Sequence, residues 1–187
     1  LFVVSAPSGG GKRAVLGPVF AGDPLLEFSV SATTRAPRKD EVEGRDYYFL
    51  SREEFTRRVK KGGFVEYAEV HGNLYGTLRE DLERRVDSGK DVVLEIDVQG
   101  MRNIQKSGLE AVTVFIMPPS LRVLERRLRR RGTESPEALE LRLRNAREEM
   151  EARHAFDYIV VNDRLAKAVA DMKAIVRAQR CRAEKQP

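Results

Sequence analysis

The chain opens Leu1-Phe2-Val3-Val4-Ser5-Ala6-Pro7-Ser8-Gly9-Gly10-Gly11-Lys12, and the reading of this stretch decides the fold. Leu1 to Val4 is an apolar, β-prone run of the kind that forms a strand buried on both faces. Ser5 and Ala6 end the run, three glycines follow, and Lys12 stands where a helix begins. Backbone N–H groups at such a turn converge on one point, and the helix N-terminus adds partial positive charge. Glycine lets an anion come close enough to use those donors. The stretch reads as a phosphate cradle, with the Lys12 ammonium reaching the outer phosphates of a nucleotide.

The spacing approximates the P-loop rule of Gly, four residues, Gly-Lys and then Ser or Thr. Two positions depart from it. Ala6 replaces the first glycine, a mild change, and Arg13 replaces the hydroxyl residue that normally ligates Mg²⁺. A glycine-rich turn with no ligand competes with the cradle on these residues alone, so the rest of the chain has to decide.

A length of 187 residues suits one domain with inserted subdomains and a sizeable core. Basic residues number 34 against 29 acidic, a net charge of +5 that allows anionic ligands without demanding nucleic acid. Arginine outnumbers lysine, and its planar fork suits phosphate, although most of these arginines read as solvated helix faces. The single cysteine, Cys181, excludes an intrachain disulfide and fits a reducing, cytoplasmic compartment; it reads as an incidental residue of the tail. No apolar run reaches membrane length and no signal peptide is visible. His71 and His154 are too few for a histidine-built metal site. The start inside a predicted strand implies native residues before Leu1.

Residues 13–20 should form the helix after the glycine turn, kinked or interrupted at Gly17-Pro18. Alternation predicts strands at 28–31 and 46–50. Ser51 with Glu54 has capping-box spacing, so a helix runs from there to about Lys61 and stops at Gly62-Gly63. FVEYAEV at 64–70 and the run from Leu74 to Thr77 pair across a turn at His71-Gly72-Asn73, giving a small mixed sheet apart from the parallel core. A charged helix spans 78–88, and 91–97 is a core strand ending in carboxylates. Val98-Gln99-Gly100 reads as a turn before a helix at 101–106, followed by a buried strand at 112–117. Helices at 120–131 and from Ser135-Pro136 to about His154 form an arginine-rich hairpin with a turn at 132–135, which reads as a mobile lid. A last strand at 158–161 and a helix at 165–180 precede a frayed tail. Strands alternating with helices imply an α/β fold with a parallel sheet.

The strings SVSATTRAPR (29–38), GRDYYF (44–49), FVEYAEVHGNLYGT (64–77), VVLEIDVQG (92–100), RRGTES (130–135) and YIVVND (158–163) occur in one order over nearly the whole chain. In this the sequence resembles the guanylate kinase family, nucleoside monophosphate kinases that use ATP to convert GMP to GDP in purine nucleotide metabolism. The resemblance implies a P-loop NTPase-type three-layer α/β core at 1–27, 86–125 and 151–187, an inserted mixed β GMP-binding region at 28–85 and a helical lid at 126–150.

By motif position, the resemblance gives Pro7, Ser8, Gly9, Gly10, Gly11, Lys12 and Arg13 to ATP, with Asn162 near the adenine ring. Arg35, Arg38, Tyr47 and Tyr75 should hold the GMP phosphate, and arginine forks and phenols both donate to phosphate oxygens. Ser31, Glu66 and Thr77 should read guanine, whose N1–H and exocyclic amine suit a carboxylate acceptor. On the residues alone, Glu66 reads as a solvated strand carboxylate. Glu95 and Asp97 match positions that contact GMP or the metal's water shell. Lys12, Arg131 and Arg142 should clamp the moving phosphoryl group, with Arg127 a weaker member. The substrates implied are ATP and GMP, with Mg²⁺ arriving with ATP, no nucleic acid, no membrane, and a monomer or homodimer.

Two readings of Arg13 follow. In one it turns away, and phosphates, water and the acidic residues hold Mg²⁺ with reduced activity. In the other ATP binding fails, leaving a non-catalytic guanylate-kinase-like domain that binds GMP or a protein partner. A nucleic-acid module rests on positive charge alone; the aromatics amid basic strands that would mark one fall instead at the GMP positions.

Overall fold

The computed structural model describes residues 1–70, 72–131 and 136–183, and of Arg131 and Pro136 the backbone alone. The described residues form an α/β fold with two sheets. The first has five strands in the order β2-β7-β1-β8-β9: β1 Phe2–Ser5, β2 Leu26–Phe28, β7 Asp91–Glu95, β8 Val112–Met117 and β9 Tyr158–Val161. Its pairs β2–β7 and β8–β9 are parallel. The second has four, in the order β4-β3-β6-β5: β3 Ser31–Thr33, β4 Tyr48–Phe49, β5 Phe64–Val70 and β6 Asn73–Leu78. The chain separates into two compact units, Leu1–Val3 with Leu25–Val112, and Val4–Pro24 with the residues from Thr113 on.

In the second unit, helix α1 (Lys12–Ala21) packs on the terminal helix α7 (Leu165–Arg180). Val15, Leu16 and Val19 on one and Ala168, Met172 and Val176 on the other are all buried. The helix is not interrupted at Gly17-Pro18: α1 runs through Lys12–Ala21 with Pro18 inside it. Proline forfeits one backbone hydrogen bond there. Buried apolar residues on both sides of Pro18 hold the helix together, and Arg180 pairs with Asp23 at 2.7 Å just beyond its end. Helices α5 (Leu121–Arg131) and α6 (Pro136–Glu151) form the arginine-rich pair, joined by a buried cluster of Leu124, Leu128, Leu139 and Ala146. Ser120 Oγ accepts from the Val123 N–H at 3.3 Å at the start of α5. The expected turn at 132–135, with Ser135 as N-cap, lies outside the described residues.

In the first unit, helix α2 (Arg52–Lys60) starts where the capping box predicts it, with Ser51 Oγ accepting from the Glu54 N–H at 3.1 Å. The mixed sheet is amphipathic by register. Ala32, Phe64, Leu78 and, on α2, Phe55 form its core, and the Phe55 and Phe64 rings stack at 4.2 Å. Gly76 is part of this packing, since a Cβ there would lie 2.8 Å from the Phe64 ring and 2.9 Å from Tyr67 Cβ. Strands β5 and β6 are antiparallel, as their alternation predicts; Gly72 in the turn has φ +77°, and His71 lies outside the described residues. Helix α3 (Arg79–Asp87) ends at Gly89, whose φ is +78°.

Three expectations need correction. The single strand expected at 28–31 is two strands in different sheets: β2 ends at Phe28, the Ser29 N–H still donates to Val93 O at 3.0 Å, and β3 begins at Ser31. Alternation reports which side chains share a face and is silent on a change of sheet. The strand expected at 46–50 is only Tyr48–Phe49. The Asp46 carboxylate turns back to accept from the Val42 N–H at 2.9 Å and so closes a loop. Val98-Gln99-Gly100 is not a turn but the first turn of helix α4 (Val98–Lys106), because Asp97 Oδ1 accepts from the Gly100 N–H at 2.7 Å and caps it. Among the described residues, no helix is long and apolar enough to cross a membrane.

An ion-pair network centred on the buried Asp81 ties α3 to its surroundings. Tyr48 Oη donates to Asp81 Oδ1 at 3.0 Å, Arg85 Nε donates to Asp81 Oδ2 at 2.8 Å, and Arg84 pairs with the same carboxylate. Arg85 continues to Glu27 at 2.9 Å. Burial raises the Asp81 pKa, but Arg85, the Tyr48 hydroxyl and Arg84 together outweigh it, and the carboxyl titrates below its usual range. A depressed carboxylate contributes stability that is complete above its unfolded pKa of about 3.9 and is lost as pH falls through the folded value. Asp81→Asn should lower the unfolding free energy at pH 7 by about 1–3 kcal/mol. The gap to the parent should narrow as pH drops below about 4, which urea melts across that range would measure.

Candidate functional site

The glycine turn is built within the second unit. The Gly10 N–H donates to Pro7 O at 2.7 Å, and Gly11 takes φ +90° as the N-cap of α1. A side chain at Gly11 would be strained in that left-handed conformation, and its Cβ would collide with the Asn162 amide. No acidic side chain lies in the first turn of α1, so the helix brings none of its own to compete for an anion at its N-terminus. Asn162 is buried just past β9, and its Nδ2 donates to Gly10 O at 3.0 Å. Arg127 of α5 in turn donates to Asn162 O at 2.8 Å through Nη2, while its Nη1 is buried with no hydrogen-bond partner among the described residues. The Ser8 N–H donates to Glu149 Oε2 of α6 at 3.3 Å.

The second site lies within the first unit, on the polar face of the mixed sheet. Register pairs Ser31 with Thr77 and Thr77 with Glu66, setting the three in one row across β3, β6 and β5. An irregularity in β5 between Phe64 and Glu66 sets this alignment. Thr77 Oγ1 donates to Glu66 Oε1 at 2.8 Å, and Glu66 is only 7% exposed. The absence of a side chain at Gly100 leaves room for it, since Glu66 Oε2 lies 3.3 Å from where a Cβ would sit. Burial pushes the Glu66 carboxyl up, the Thr77 hydroxyl pulls against this, and Asp97 pushes it up again; the net direction is upward.

Two residues along the same face, Thr33 pairs with Tyr75. Thr33 Oγ1 accepts from the Arg35 N–H at 3.1 Å and so anchors the turn that carries the two arginines. The Arg35 guanidinium lies 5.4 Å from the centre of the Tyr47 ring. The Tyr47 and Tyr75 rings meet edge to face at 6.1 Å. Arg35 Nη2 also donates to both carboxylate oxygens of Glu41, at 2.7 and 2.8 Å. One end of this face is thus cationic and phenolic, and the other carries a buried carboxylate between two hydroxyls. A phosphate suits the first, and a ring with adjacent N–H donors suits the second.

A family model described as guanylate kinase matches residues 1–179. A guanylate kinase from Polaromonas sp. is 49% identical over 180 residues, covering 96% of this chain and 87% of that protein. One from Thermotoga maritima is 45% identical over 182 residues, covering 97% and 88%. The crystal structure of guanylate kinase from Anaplasma phagocytophilum superposes with a TM-score of 0.77 at 37% identity, over the whole of this chain and 88% of that one. The chain belongs to the guanylate kinase family.

In this family member, Ser31, Arg35, Tyr47, Glu66, Tyr75 and Thr77 come together on one sheet face, with Arg38 exposed on the adjoining loop. Glu95 ends β7 half-buried, and Asp97 caps α4. Asn162 is joined to the glycine turn, and Arg13 is exposed in the first turn of α1. Arg142 is exposed on α6, and the Arg131 side chain lies outside what is described. Sequence reasoning passed over Glu41 and Glu149, the carboxylates that contact Arg35 and Ser8. Nothing in their spacing sets them apart from the other 27 acidic residues of the 29.

An acid whose folded pKa is raised makes the fold less stable as pH climbs from below its unfolded value, about 4.3 for Glu, through the folded one. Glu66→Gln should therefore be more stable than the parent at pH 8 and equal to it near pH 4, as urea midpoints at the two pH values would show.

Proposed function

We propose that this chain transfers a phosphoryl group from ATP to GMP, giving ADP and GDP. The observation that supports this most is the row of Ser31, Thr77 and Glu66 on the same face as the Arg35, Tyr47 and Tyr75 cluster. Guanine presents N1–H and its amine side by side, two donors for one carboxylate, and adenine does not. Glu66 is the base selector in this reading, and Arg35, Arg38, Tyr47 and Tyr75 hold the acceptor phosphate.

The amides of the glycine turn and Lys12 hold the ATP phosphates, Asn162 lies toward the adenine, and Arg127, Arg131 and Arg142 neutralise the charge that develops on transfer. The core, the GMP-binding region at 28–85 and the lid at 126–150 divide these tasks. No side chain attacks, because the acceptor is the GMP phosphate itself. Catalysis is alignment plus charge stabilisation.

Among the described residues there is no group of three or more His, Cys, Asp or Glu able to hold a metal ion. Mg²⁺ arriving with ATP would be bound chiefly through substrate phosphates and water, with one or two carboxylates. Glu95 and Asp97 would hold its water shell, and the ion supplies charge neutralisation on the phosphates. Arg13 stands where the P-loop rule has a hydroxyl, and its positive charge opposes the ion by Coulomb repulsion. That residue favours a second reading, a GMP-binding domain without turnover.

A coupled assay with ATP, Mg²⁺ and GMP or AMP separates the two. GDP formation with strong preference for GMP is expected; intact GMP binding by calorimetry without GDP would establish the second reading. Arg13→Ser should raise kcat, and an unchanged rate would show that the missing hydroxyl is not limiting.

A further inference from the structure

The clamp arginines are not bare. Glu41 lies three residues beyond Arg38 and six beyond Arg35, and its carboxylate joins the two. Arg35 Nη2 reaches both carboxylate oxygens, at 2.7 and 2.8 Å, while Arg35 Nη1 donates to Ala36 O at 2.7 Å. The Arg38 backbone N–H donates to Glu41 Oε2 at 2.8 Å, and the Glu41 N–H donates back to Arg38 O at 3.1 Å. The pair is partly shielded, with side-chain exposures of 18% for Arg35 and 16% for Glu41. The Arg38 N–H first, and then the Arg35 fork, hold the Glu41 carboxyl below its ordinary range, so it is ionised at neutral pH.

A carboxylate so placed can play one of two parts. It can be a stand-in that an incoming phosphate displaces, or a brace that stays. Displacement would break the reciprocal pair with the Arg38 backbone as well as the ion pair, and would leave a free carboxylate beside a phosphate dianion. A guanidinium has five N–H donors, so the contacts to Ala36 and Glu41 do not exhaust it.

Resting on the GMP reading above, we propose that Glu41 is a positioning residue for the acceptor phosphate: it fixes the Arg35 fork and the Arg38 turn before GMP arrives and remains bound to them afterwards. Its contribution is preorganisation. Without it Arg35, a long side chain with many rotamers, must be ordered at the moment of binding. Glu41 touches neither base nor ATP in this role, so its effect is confined to ligands that place a phosphate in the Arg35–Arg38 clamp.

The test is Glu41→Gln, with Glu41→Asp as the conservative partner. Steady-state kinetics give KM for GMP and for ATP, calorimetry gives the Kd for GMP, and guanosine, which lacks the phosphate, is titrated as a competitive inhibitor. The parent isotherm is read first: absence of GMP binding there overturns the GMP reading itself. With the parent binding GMP, Glu41→Gln should weaken GMP by about ten-fold or more. KM for ATP and Ki for guanosine should stay unchanged, and Glu41→Asp should recover part of the loss. Tighter or unchanged GMP binding in Glu41→Gln overturns the brace in favour of a displaceable stand-in. Equal weakening of GMP, guanosine and ATP also overturns it, because that is the signature of a general structural lesion.

Discussion

Donors that recognise an anion must be fixed before the anion arrives, and fixing them takes polar groups that make no contact with the ligand. That constraint runs through both halves of this chain. The glycine turn is held by the buried Asn162 amide on Gly10 O, and Arg127 holds the Asn162 carbonyl in turn. The turn that carries Arg35 and Arg38, the proposed phosphate clamp, is held by Thr33 from the strand side and by Glu41 from the loop side. Neither cradle is a free loop. Each is a short irregular segment whose backbone is tied to a strand or a helix by a side chain from elsewhere in the sequence.

The mixed sheet answers a different demand. In the proposed reading, a selector for guanine needs an acceptor carboxylate out of bulk water, and burying one costs stability. The fold offsets part of that cost with the Thr77 hydroxyl, while Asp97 adds to it through like charge. The opposite face compensates by packing Phe55, Phe64 and Leu78 tightly enough that Gly76 has no space for a side chain. One face of the sheet is thus a stable apolar support, and the other carries a group retained at a loss. A carboxylate held against the gradient of stability is the pattern expected of a functional group.

Much of this was legible in the sequence because it is local. The Ser51 cap, the FVEYAEV alternation and the apolar runs at β1, β8 and β9 each follow from a period or a fixed spacing, and each is where the pattern puts it. Ser31, Glu66 and Thr77 share one row because alternation and strand pairing fix register. What was illegible depended on distant partners. Pro18 stays helical because of α7, some 150 residues later in the chain. The change of sheet between Phe28 and Ser31 is invisible to a period that reports faces alone. Glu41 and Glu149 are ordinary acidic residues until the fold brings them to a guanidinium and an amide.

Net charge contributes little to the proposed recognition of phosphate. The chain carries 34 basic and 29 acidic residues, and many arginines and lysines are already matched along their own helices: Arg58 with Glu54, Arg129 with Glu125, Lys167 with Asp171. Exposed pairs of that kind contribute well under about 1 kcal/mol and are screened by salt. Even Arg35 is paired, so its ion pair with Glu41 is neutral overall. Selectivity for a phosphate over any other anion therefore has to come from the direction of N–H and O–H bonds. In the reading proposed above, those directions are what Thr33, Glu41 and Asn162 set through their hydrogen bonds, so the residues around the two cradles matter as much as the cradles themselves.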